Sequence, residues 1–543
     1  MLETTLQDTI SLWREESLRL IPQNFEVFQN LVARAENLVQ RRKYDEAAVY
    51  AGIAAWFACA QPCGLFVSSQ LEQVLLTIGQ KAIRSSYQTQ NLSPSQKPRK
   101  ILHVCTSVVS IGGLPKMLCR WIQQDKESHH SVALTNQDFN KIPQILKDSV
   151  NESEGKIYIL NRLANGIVDR AKKLREIATK ADLVILHIHN QDVIPIIAFA
   201  NKEQSPPVLF VDHADHLFWL GAGISDVVVN LRESGMRLSQ QRRGIEAKRN
   251  VLLPTIVEPT YRKFSRSQAK QQLGIEDNSI VLLSIARAIK YSKTVNGINF
   301  ADVHLPILQK YKNAYLLVVG ANNQEDWATA INQTQGRIKA IAETENTAIY
   351  YQAADIYVDS FPFVSITSLL EAGSYGVPLV TRYPYSSEAS EILGADMPGL
   401  TGNLIRVGNI EEYTACLTQL IENEEYRLSL GEATKNKIAQ THWPANWQLA
   451  LENLYAQATI IPRLSERSPL KDQMFLGEPD LFLPQVHGWK FDLDLAIQPY
   501  LTSMPFTQRL YHWWQLAKKY GFNNRLSLLL PSWLYSYYQK LKS

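Results

Sequence analysis

Residues 359–381 read DSFPFVSITSLLEAGSYGVPLVT and give the clearest local signal in the chain. The apolar residues before this stretch predict a buried strand that ends near Asp359. A short loop follows, and the apolar spacing after Ile366 predicts a helix that ends at Gly373–Gly376. Another strand begins with Val377. This strand–helix–strand order predicts two parallel strands joined by a crossover helix.

The same alternation fills most of the chain in two series. Short Val/Ile/Leu-rich runs separated by helical segments indicate parallel sheets that are covered on both faces. The first series comprises 101–107, 131–136, 156–161, 182–189, 207–213, 226–231 and 250–254, and the second comprises 279–287, 314–321, 348–360 and 377–382. Two doubly wound domains in tandem are expected to bind ligands in a crevice outside the carboxyl ends of their strands.

Four regions follow from these patterns. Residues 1–92 have a helical spacing of apolar residues and are followed by a polar, proline-containing linker. Residues 100–262 and 263–460 are predicted to form the two Rossmann-like domains. Residues 463–543 form an extension rich in Trp and Tyr. The predicted fold class is therefore α/β, with helical extensions at both ends.

Composition excludes several classes of protein. The 543 residues are 45% hydrophobic and 20% charged, and the net charge of +4 is spread along the chain, unlike that of a dedicated nucleic-acid binder. Five scattered cysteines are too few for a disulfide framework. The first residues lack a signal-peptide pattern, and the longest apolar run has about 14 residues, too short for a membrane span. We therefore expect a cytoplasmic protein.

The helix start after Asp359 has the features of an anion site. Backbone N–H groups near Ser365 and Ile366 are available to bind a pyrophosphate. The hydroxyl groups of Thr367 and Ser368 add further donors. Glu371, about one turn into the helix, is suited to accept hydrogen bonds from ribose hydroxyls.

This segment resembles the donor site of GT-B glycosyltransferases, in which a ribose-binding acid is followed by a small-residue turn and Gly-Val/Thr-Pro-x-Val. The form D-x-x-P-F followed by T-[ST]-x-x-[DE] is most similar to the protein O-GlcNAc transferase branch. The large family 4 enzymes instead carry two glutamates eight positions apart, and the earlier position here is Phe363. The resemblance implies two facing Rossmann-like domains and a nucleoside diphosphate sugar as donor, UDP- or GDP-linked.

The resemblance also implies which residues replace a metal ion. A basic residue after the first strand of the second domain neutralises the diphosphate in such enzymes. Lys290 matches the lysine of the O-GlcNAc transferase branch, Arg287 occupies a position typical of family 4, and Lys293 is a reserve candidate. The loop at 337–343 resembles the nucleobase loop by position. No metal or other cofactor is expected.

In the first domain, Gly112 and Gly113 resemble the Gly-Gly loop that lines the cleft near the donor phosphate. Histidines follow two predicted strands. His213, with Asp215 and His216 as further candidates, is expected to take the proton of the acceptor hydroxyl or to contact the sugar. His187 and His189 alternate along a strand, so at most one of them is expected to line the cleft.

The C-terminal extension contains Asp492-Leu-Asp494, a pair of the kind that binds metal ions in other glycosyltransferases. Its position outside both predicted sheets argues for a structural role. Further along, aromatic residues alternate with Lys and Arg between 507 and 543, which is compatible with a peripheral membrane contact or with packing against the other domains.

The sequence thus predicts a metal-independent glycosyltransferase that acts in polysaccharide or glycoconjugate synthesis on an unidentified glycan, lipid or protein acceptor. Three alternatives stay open. A sugar-nucleotide epimerase uses the same donor. A noncatalytic relative is compatible with Phe363 and with Leu114, which stands where related bacterial sequences often have a histidine after the two glycines. An NAD-linked oxidoreductase ranks last, because no complete G-x-G-x-x-G follows the first strand of either domain.

Overall fold

A computed structural model gives the structure of the chain. It describes residues 2–83, 97–110, 112–163, 166–291, 300–321, 327–464, 472–488, 493–522, 525–531, 534–535 and 538. The chain divides into two compact units. The first unit consists of Ser17–Asn230, Gly235–Val251 and Glu452–Ser543, and the second consists mainly of Leu252–Leu451.

The first unit contains a sheet whose strand order is β3-β2-β1-β4-β5-β6-β7. Neighbouring strands from β3 to β6 pair in parallel. β4 and β5 are buried along their whole length, as expected for a sheet covered on both faces. The strands are β1 (Arg99–Cys105), β2 (Ser128–Leu134), β3 (Ile157–Ile159), β4 (Leu183–His187), β5 (Val208–Asp212), β6 (Val227–Asn230) and β7 (Asn250–Leu252).

The second unit contains a parallel sheet with the order β10-β9-β8-β11-β12-β13. Its central strands are again rich in Val, Ile and Leu and are buried. The strands are β8 (Ile280–Ile285), β9 (Ala314–Val319), β10 (Ile338–Ile341), β11 (Ile356–Val358), β12 (Leu379–Arg382) and β13 (Leu404–Val407).

Helices connect the strands of both sheets and extend beyond them. Up to the start of β8 they are α1 (Leu2–Gln40), α2 (Tyr44–Ala60), α3 (Ser69–Ala82), α4 (Gly113–Gln124), α5 (Gln144–Glu152), α6 (Leu160–Leu163), α7 (Ile167–Ala178), α8 (Val193–Ala198), α9 (Glu233–Arg243) and α10 (Arg266–Gln272). The later helices are α11 (Phe300–Lys310), α12 (Ala328–Gln333), α13 (Ala348–Ala353), α14 (Ile366–Ser374), α15 (Ser390–Leu393), α16 (Ile410–Glu422), α17 (Glu424–His442), α18 (Pro444–Ile460), α19 (Leu483–Val486), α20 (Leu493–Ile497) and α21 (Phe506–Tyr520).

The terminal helices of the first unit share a core with its sheet. α2 is made largely of small apolar residues and buries Val49, Ile53 and Phe57 in the same cluster as Val184 of β4 and Phe210 of β5. Trp513 and Leu516 of α21 join that cluster, and the Tyr500 hydroxyl donates to the carbonyl of Gly52 (3.1 Å). The N-terminal helices and the C-terminal extension therefore contribute to one core and do not build cores of their own.

Each run predicted as a strand contains one, and the ends are shifted by a few residues, except at 348–360, where residues 348–353 form α13 and only Ile356–Val358 form β11. β10 and β13 are additional strands, and β10 lies within the stretch that was expected to form the nucleobase loop. Among the residues described, no helix is long and apolar enough to cross a bilayer.

Candidate functional site

The second sheet brings two strand ends together where its strand order changes direction. From β8 the order continues through β9 and β10 on one side and through β11 to β13 on the other. Such a switch point is where open α/β sheets bind ligands. Lys290 lies in the short turn Ala288–Tyr291 that follows β8, and Asp359 directly follows β11. Both therefore lie at the carboxyl edge of the central strands.

The half-buried Lys290 and the buried Asp359 carry opposite charges that attract each other. Lys290 Nζ donates to the carbonyl oxygen of Val364 (2.8 Å) and lies 4.3 Å from the centre of the Phe363 ring. Asp359 Oδ1 accepts a hydrogen bond from the backbone N–H of Ser365 (3.1 Å). Burial lowers the pKa of Lys290 and raises the pKa of Asp359, and the attraction between the two charges opposes both shifts. Each group therefore depends on the other to stay charged.

α14 begins directly after this loop. Ser365 occupies the N-cap position, but its side chain caps no N–H of the first turn; its hydroxyl instead lies 3.1 Å from that of Ser368. Ile366, Thr367 and Ser368 are partly exposed. The first N–H groups of a helix have no partner within the helix and carry its positive dipole end. This turn is therefore suited to bind an anion beside the Lys290 ammonium.

Glu371 lies on the next turn of α14 and is only 8% exposed. Its Oε2 accepts a hydrogen bond from the Tyr351 hydroxyl (3.2 Å). Tyr351 is stacked on Tyr375, with ring centres 5.6 Å apart. The carboxylate is thus held in a fixed orientation one turn beyond the anion site, as binding of a ribose diol requires.

Arg287, in contrast to Lys290, is exposed. The chain that leads to it passes very close to the end of β9. At Gly320 the backbone has a φ of 95°, and an added Cβ would lie 1.9 Å from the carbonyl oxygen of Ala286. Only glycine fits there, so Gly320 fixes the path of the turn that carries Arg287 and Lys290. Lys293 lies outside the described residues.

The predicted nucleobase loop is wrong for most of its length. Residues 338–341 form β10, and the Arg337 guanidinium is buried, where it donates to the carbonyl oxygens of Leu308 (2.5 Å) and Ala314 (3.2 Å). This stretch pairs in parallel with β9, which the match by position did not take into account.

In the first unit, Gly112 and Gly113 open α4. Gly112 is the N-cap with a φ of 135°, a conformation that side chains rarely adopt. Gly113 is the first helical residue. The two glycines therefore form a second helix start at which the backbone is accessible.

His213 follows β5 and is half-buried. Its Nε2 lies 3.0 Å from Nδ1 of His187. Burial lowers the pKa of His213 to about 4, so the ring is neutral near pH 7 and has the lone pair that a base needs. His187 is completely buried in the sheet, whereas His189 is exposed and lies 3.4 Å from the Ser107 hydroxyl.

Asp215 and His216 have neighbours of their own. The Asp215 carboxylate packs against the backbone of Gly235, and its Oδ1 lies 3.5 Å from Nδ1 of His216. The His216 ring stacks on that of His487, with ring centres 4.3 Å apart. These contacts give both side chains a structural role that the sequence did not indicate.

In the described part of the chain, no group of three or more His, Cys, Asp or Glu side chains is placed to hold a metal ion. Asp492 lies outside the described residues. Asp494 lies 3.5 Å from the Lys519 ammonium.

Sequence reasoning overlooked several residues of these sites. From the sequence, Asp359 is the end of a strand and the first residue of the D-x-x-P-F pattern but not a partner of Lys290, although an acid at the carboxyl edge of a central strand is itself a signal. Tyr351 gave no signal, because only the packing of α13 against α14 makes it a partner of Glu371. His103 and His130 were also overlooked, although histidines inside Val/Ile/Leu strands are unusual.

Comparison with known proteins agrees with this architecture. Residues 265–437 match the family model described as Glycosyl transferases group 1. The chain is 29% identical over 210 residues to D-inositol 3-phosphate glycosyltransferase of Corynebacterium aurimucosum, which covers 36% of this chain and 47% of that relative. It thus spans about half the length of this relative.

Two further similarities are more distant. N-acetyl-alpha-D-glucosaminyl L-malate synthase of Bacillus anthracis is 23% identical over 294 residues, which is 49% of this chain and 73% of that relative. The crystal structure of a glycosyltransferase from Rickettsia africae ESF-5 aligns with a TM-score of 0.52 at 12% identity, over 66% of this chain and 98% of that one. At this identity the structural likeness shows a common fold.

Two doubly wound parallel sheets, one in each unit, define the GT-B class of fold and confirm the predicted fold class. The match of residues 265–437 to the model described as Glycosyl transferases group 1 confirms the predicted resemblance to glycosyltransferases. The match also supports the prediction that the protein is a transferase enzyme.

Proposed function

We propose that the protein transfers a sugar from a nucleoside diphosphate sugar, UDP- or GDP-linked, to an acceptor hydroxyl without a divalent metal ion. The observation that carries this proposal is the uncapped first turn of α14 beside the Lys290 ammonium. Together they provide the positive potential that a diphosphate needs. The names of both curated relatives describe the attachment of a sugar, which supports the proposal.

In this proposal the diphosphate binds the N–H groups of Ile366, Thr367 and Ser368, assisted by the latter two hydroxyls. Lys290 stabilises the negative charge that develops on the departing nucleoside diphosphate. Because the Lys290 ammonium already has a carbonyl and an aromatic ring as neighbours, it needs no reorganisation to do so. The exposed Arg287 adds a second positive charge.

Glu371 would bind the ribose, since its buried carboxylate is fixed by the Tyr351 hydroxyl and lies one turn from the phosphate site. Gly112 and Gly113 would bind the donor through backbone N–H groups at the start of α4. Neither assignment requires a metal ion.

His213 would act as the general base on the acceptor, because it is neutral and its remaining ring nitrogen, Nδ1, has a lone pair. Asp215 and His216 are secondary candidates to orient the acceptor. Proton removal by His213 favours inversion at the sugar carbon, whereas removal by a donor phosphate oxygen would give retention.

The first experiment is a thermal-shift panel of UDP-, GDP- and ADP-sugars with EDTA present. A ligand that binds only the folded protein raises its melting temperature, by an amount that grows with ligand concentration. We expect at least one donor to stabilise the protein and Glu371→Ala to abolish the shift. Glu425→Ala, which removes an exposed acid from the start of α17, is the matched control and should keep the full shift.

A response that appears only when EDTA is replaced by Mg²⁺ or Mn²⁺ would contradict metal independence. No response to any donor would contradict the proposed function itself. Release of the nucleoside diphosphate in the presence of candidate acceptors then separates an active transferase from a noncatalytic binder.

A peripheral membrane contact is a further proposal, favoured by the outer face of α21. Phe506, Leu510 and Trp514 recur every four residues and are 62%, 43% and 53% exposed, and the cations of Lys518 and Lys519 follow on the same helix. Exposed aromatic residues beside cations suit an anionic lipid surface. We expect the protein to sediment with vesicles that contain phosphatidylglycerol, and Trp514→Ser to weaken this. Binding that is equal for Trp514→Ser and the unaltered protein would contradict it.

A further inference from the structure

Four histidines form a continuous hydrogen-bonded chain through the first sheet. His130 Nδ1 lies 2.9 Å from His103 Nε2, His103 Nδ1 lies 3.1 Å from His187 Nε2, and His187 Nδ1 lies 3.0 Å from His213 Nε2. The first three rings are completely buried, and His213 is partly exposed. We call these four residues the histidine ladder. It connects the interior of the unit to the proposed base.

The ladder follows from the register of four neighbouring strands. Ile101 pairs with His130, and His103 is two residues further along β1. His103 pairs with Ile185, and His187 is again two residues further. A stagger of two residues keeps every ring on the same face of the sheet, so the rings cross it diagonally towards the carboxyl edge.

The inner end of the ladder is a carboxylate. His130 Nε2 lies 3.2 Å from the carbonyl oxygen of Asp125 and 3.3 Å from its Oδ2. Oδ2 also accepts the Tyr455 hydroxyl (2.8 Å), which in turn accepts a bond from the Trp121 indole (3.0 Å). The edge of the Trp121 ring packs against the rings of His103 and His187. The ladder is therefore closed off from water at this end.

The carbonyl at Asp125 sets the direction of every bond in the ladder. A carbonyl oxygen only accepts, so Nε2 of His130 must carry a proton. In a neutral ladder each ring has one N–H, and His130 Nδ1 must then accept from His103. In the same way, Nδ1 of His103 must accept from His187, and Nδ1 of His187 must accept from His213. His213 is therefore the Nε2–H form, with an unprotonated Nδ1.

The charges around the ladder agree with a neutral resting state. Burial lowers the pKa of His103 and of His187 well below the usual value. Burial by itself would raise the pKa of Asp125. The hydrogen bonds from His130 and Tyr455, together with the positive charge of a protonated His130, outweigh burial and lower the pKa of Asp125. Further charged groups are Arg99, whose guanidinium lies 4.7 Å from the centre of the Tyr455 ring and pairs with Glu452, and Asp212, which precedes His213 and lies 3.7 Å from Arg243.

We propose that the histidine ladder is a proton relay that fixes His213 as a base and carries its positive charge inward to Asp125. The proposal rests on the proposed role of His213 in sugar transfer. His103, His130, His187 and Asp125 are then positioning residues, since they act through His213.

The relay balances in protons and charge. The acceptor O–H bond breaks and Nδ1 of His213 gains the proton, while the acceptor oxygen bonds to the sugar carbon and the nucleoside diphosphate departs with the electron pair of the broken C–O bond. Nε2 of His213 passes its proton to His187, which passes one to His103, which passes one to His130. His130 becomes a cation beside the Asp125 anion. The reverse sequence later returns the proton through His213 to water.

The test reads the protonation of ring nitrogens directly, by ¹⁵N NMR of sedimented full-length protein labelled in histidine. His213→Asn assigns the His213 signals. We expect an unprotonated Nδ1 in the unaltered protein and mixed tautomers of His187 and His213 in His103→Phe, which cuts the ladder. We also expect kcat to fall about tenfold to a hundredfold in His103→Phe, with little change in KM. This fall is smaller than the full contribution of a general base, because His213 itself is still present.

Three variants separate this effect from loss of structure. His103→Gln keeps one hydrogen-bond donor and one acceptor at this position. Compared with His103→Phe, it should therefore have a higher kcat and a larger fraction of His213 in the Nε2–H tautomer. Asp125→Asn removes the charge that attracts the proton, so the ladder should take up a proton only at lower pH. His129→Gln changes the neighbouring, partly exposed histidine of β2 and should alter neither reading.

An unchanged His213 tautomer in His103→Phe would overturn the relay. If that variant does not fold, unchanged proton uptake in Asp125→Asn would overturn it equally. Failure of the proposed function would give a different result, because kcat would be unchanged in His213→Asn. A His213 tautomer that changes in His103→Phe would still support the hydrogen-bonded connection from His213 to Asp125.

Discussion

The two units bury ionisable groups in opposite ways. In the second unit, Lys290 and Asp359 are opposite charges that attract each other beside the anion site. In the first, the histidine ladder is neutral at rest and has one carboxylate, Asp125, at its inner end. A fixed charge suits a ligand that is always an anion, whereas a chain of neutral rings suits a charge that exists only during reaction. Burial therefore serves binding in one unit and proton transfer in the other.

The largest expected effect concerns the fixed pair. Asp359→Ala removes the carboxylate that attracts the half-buried Lys290 ammonium and leaves the buried Ser365 N–H without its acceptor. We expect the free energy of unfolding to fall by about 3–5 kcal/mol, measured by urea denaturation. Asp359→Asn keeps an accepting oxygen and should lose less. Equal stability of Asp359→Ala and the unaltered protein would show that the pair does not compensate in this way.

Lys290→Met keeps the length of the side chain and removes its charge. We expect kcat for sugar transfer to fall about 10²–10³-fold, as on loss of one group that stabilises a developing anion. The measurement is nucleoside diphosphate release under saturating donor. If kcat is unchanged and only KM rises, Lys290 binds the ground state alone.

The third prediction concerns pH. Burial of His304 between the Phe300 carbonyl and the Tyr413 hydroxyl lowers its pKa from 6.5 to about 4. Above pH 6.5 both the folded and unfolded forms are neutral, and below it the unfolded chain binds the proton more readily. Stability should therefore fall with acidification, by about 2 kcal/mol from this residue at pH 5.

The ladder histidines should add to this acid sensitivity in the first unit. Hydrogen exchange at pH 7.5 and pH 5 can compare peptides from β1 and β4 with peptides from β8 and β11. We expect the larger loss of protection in β1 and β4. Equal losses in both sheets would indicate that the ladder does not stay neutral at rest.

The smallest effect is expected at Tyr351. Tyr351→Phe removes one hydrogen bond to Glu371 while keeping the stacked ring. The bond is worth about 0.5–1.5 kcal/mol, so donor affinity should weaken by at most about tenfold. Isothermal titration of the donor measures this. A larger loss would mean that Tyr351 itself contacts the ligand.

The sequence was most informative where a pattern is local. The strand that ends at Asp359, the helix start at Ile366 and the position of Glu371 all follow from neighbouring residues, and the structure has them as predicted. The partner of Glu371 and the Lys290–Asp359 pair depend on which strands are adjacent. A single sequence with no known register does not contain that information.

The histidine ladder could not be predicted from the sequence for the same reason. His103, His130, His187 and His213 are spread over 110 positions of the chain, and His103 and His187, which are neighbours in the ladder, are 84 positions apart. They come together only because β2, β1, β4 and β5 are neighbours with a stagger of two residues. The error at residues 337–343 has a related cause, because residues 338–341 form a strand by pairing with β9, and similarity of position does not reveal that pairing.

The two-residue stagger of the histidines also disfavours incorrect alignment of the strands during folding. If β4 slipped by one residue against β1, His187 would turn to the opposite face and two N–H···N bonds would break together. A slip of two residues would keep the face but move the ring about 6.6 Å along the strand, beyond hydrogen-bonding reach. A misaligned sheet would therefore bury unsatisfied imidazole nitrogens, and the native alignment gains specificity during folding from the residues proposed to move protons.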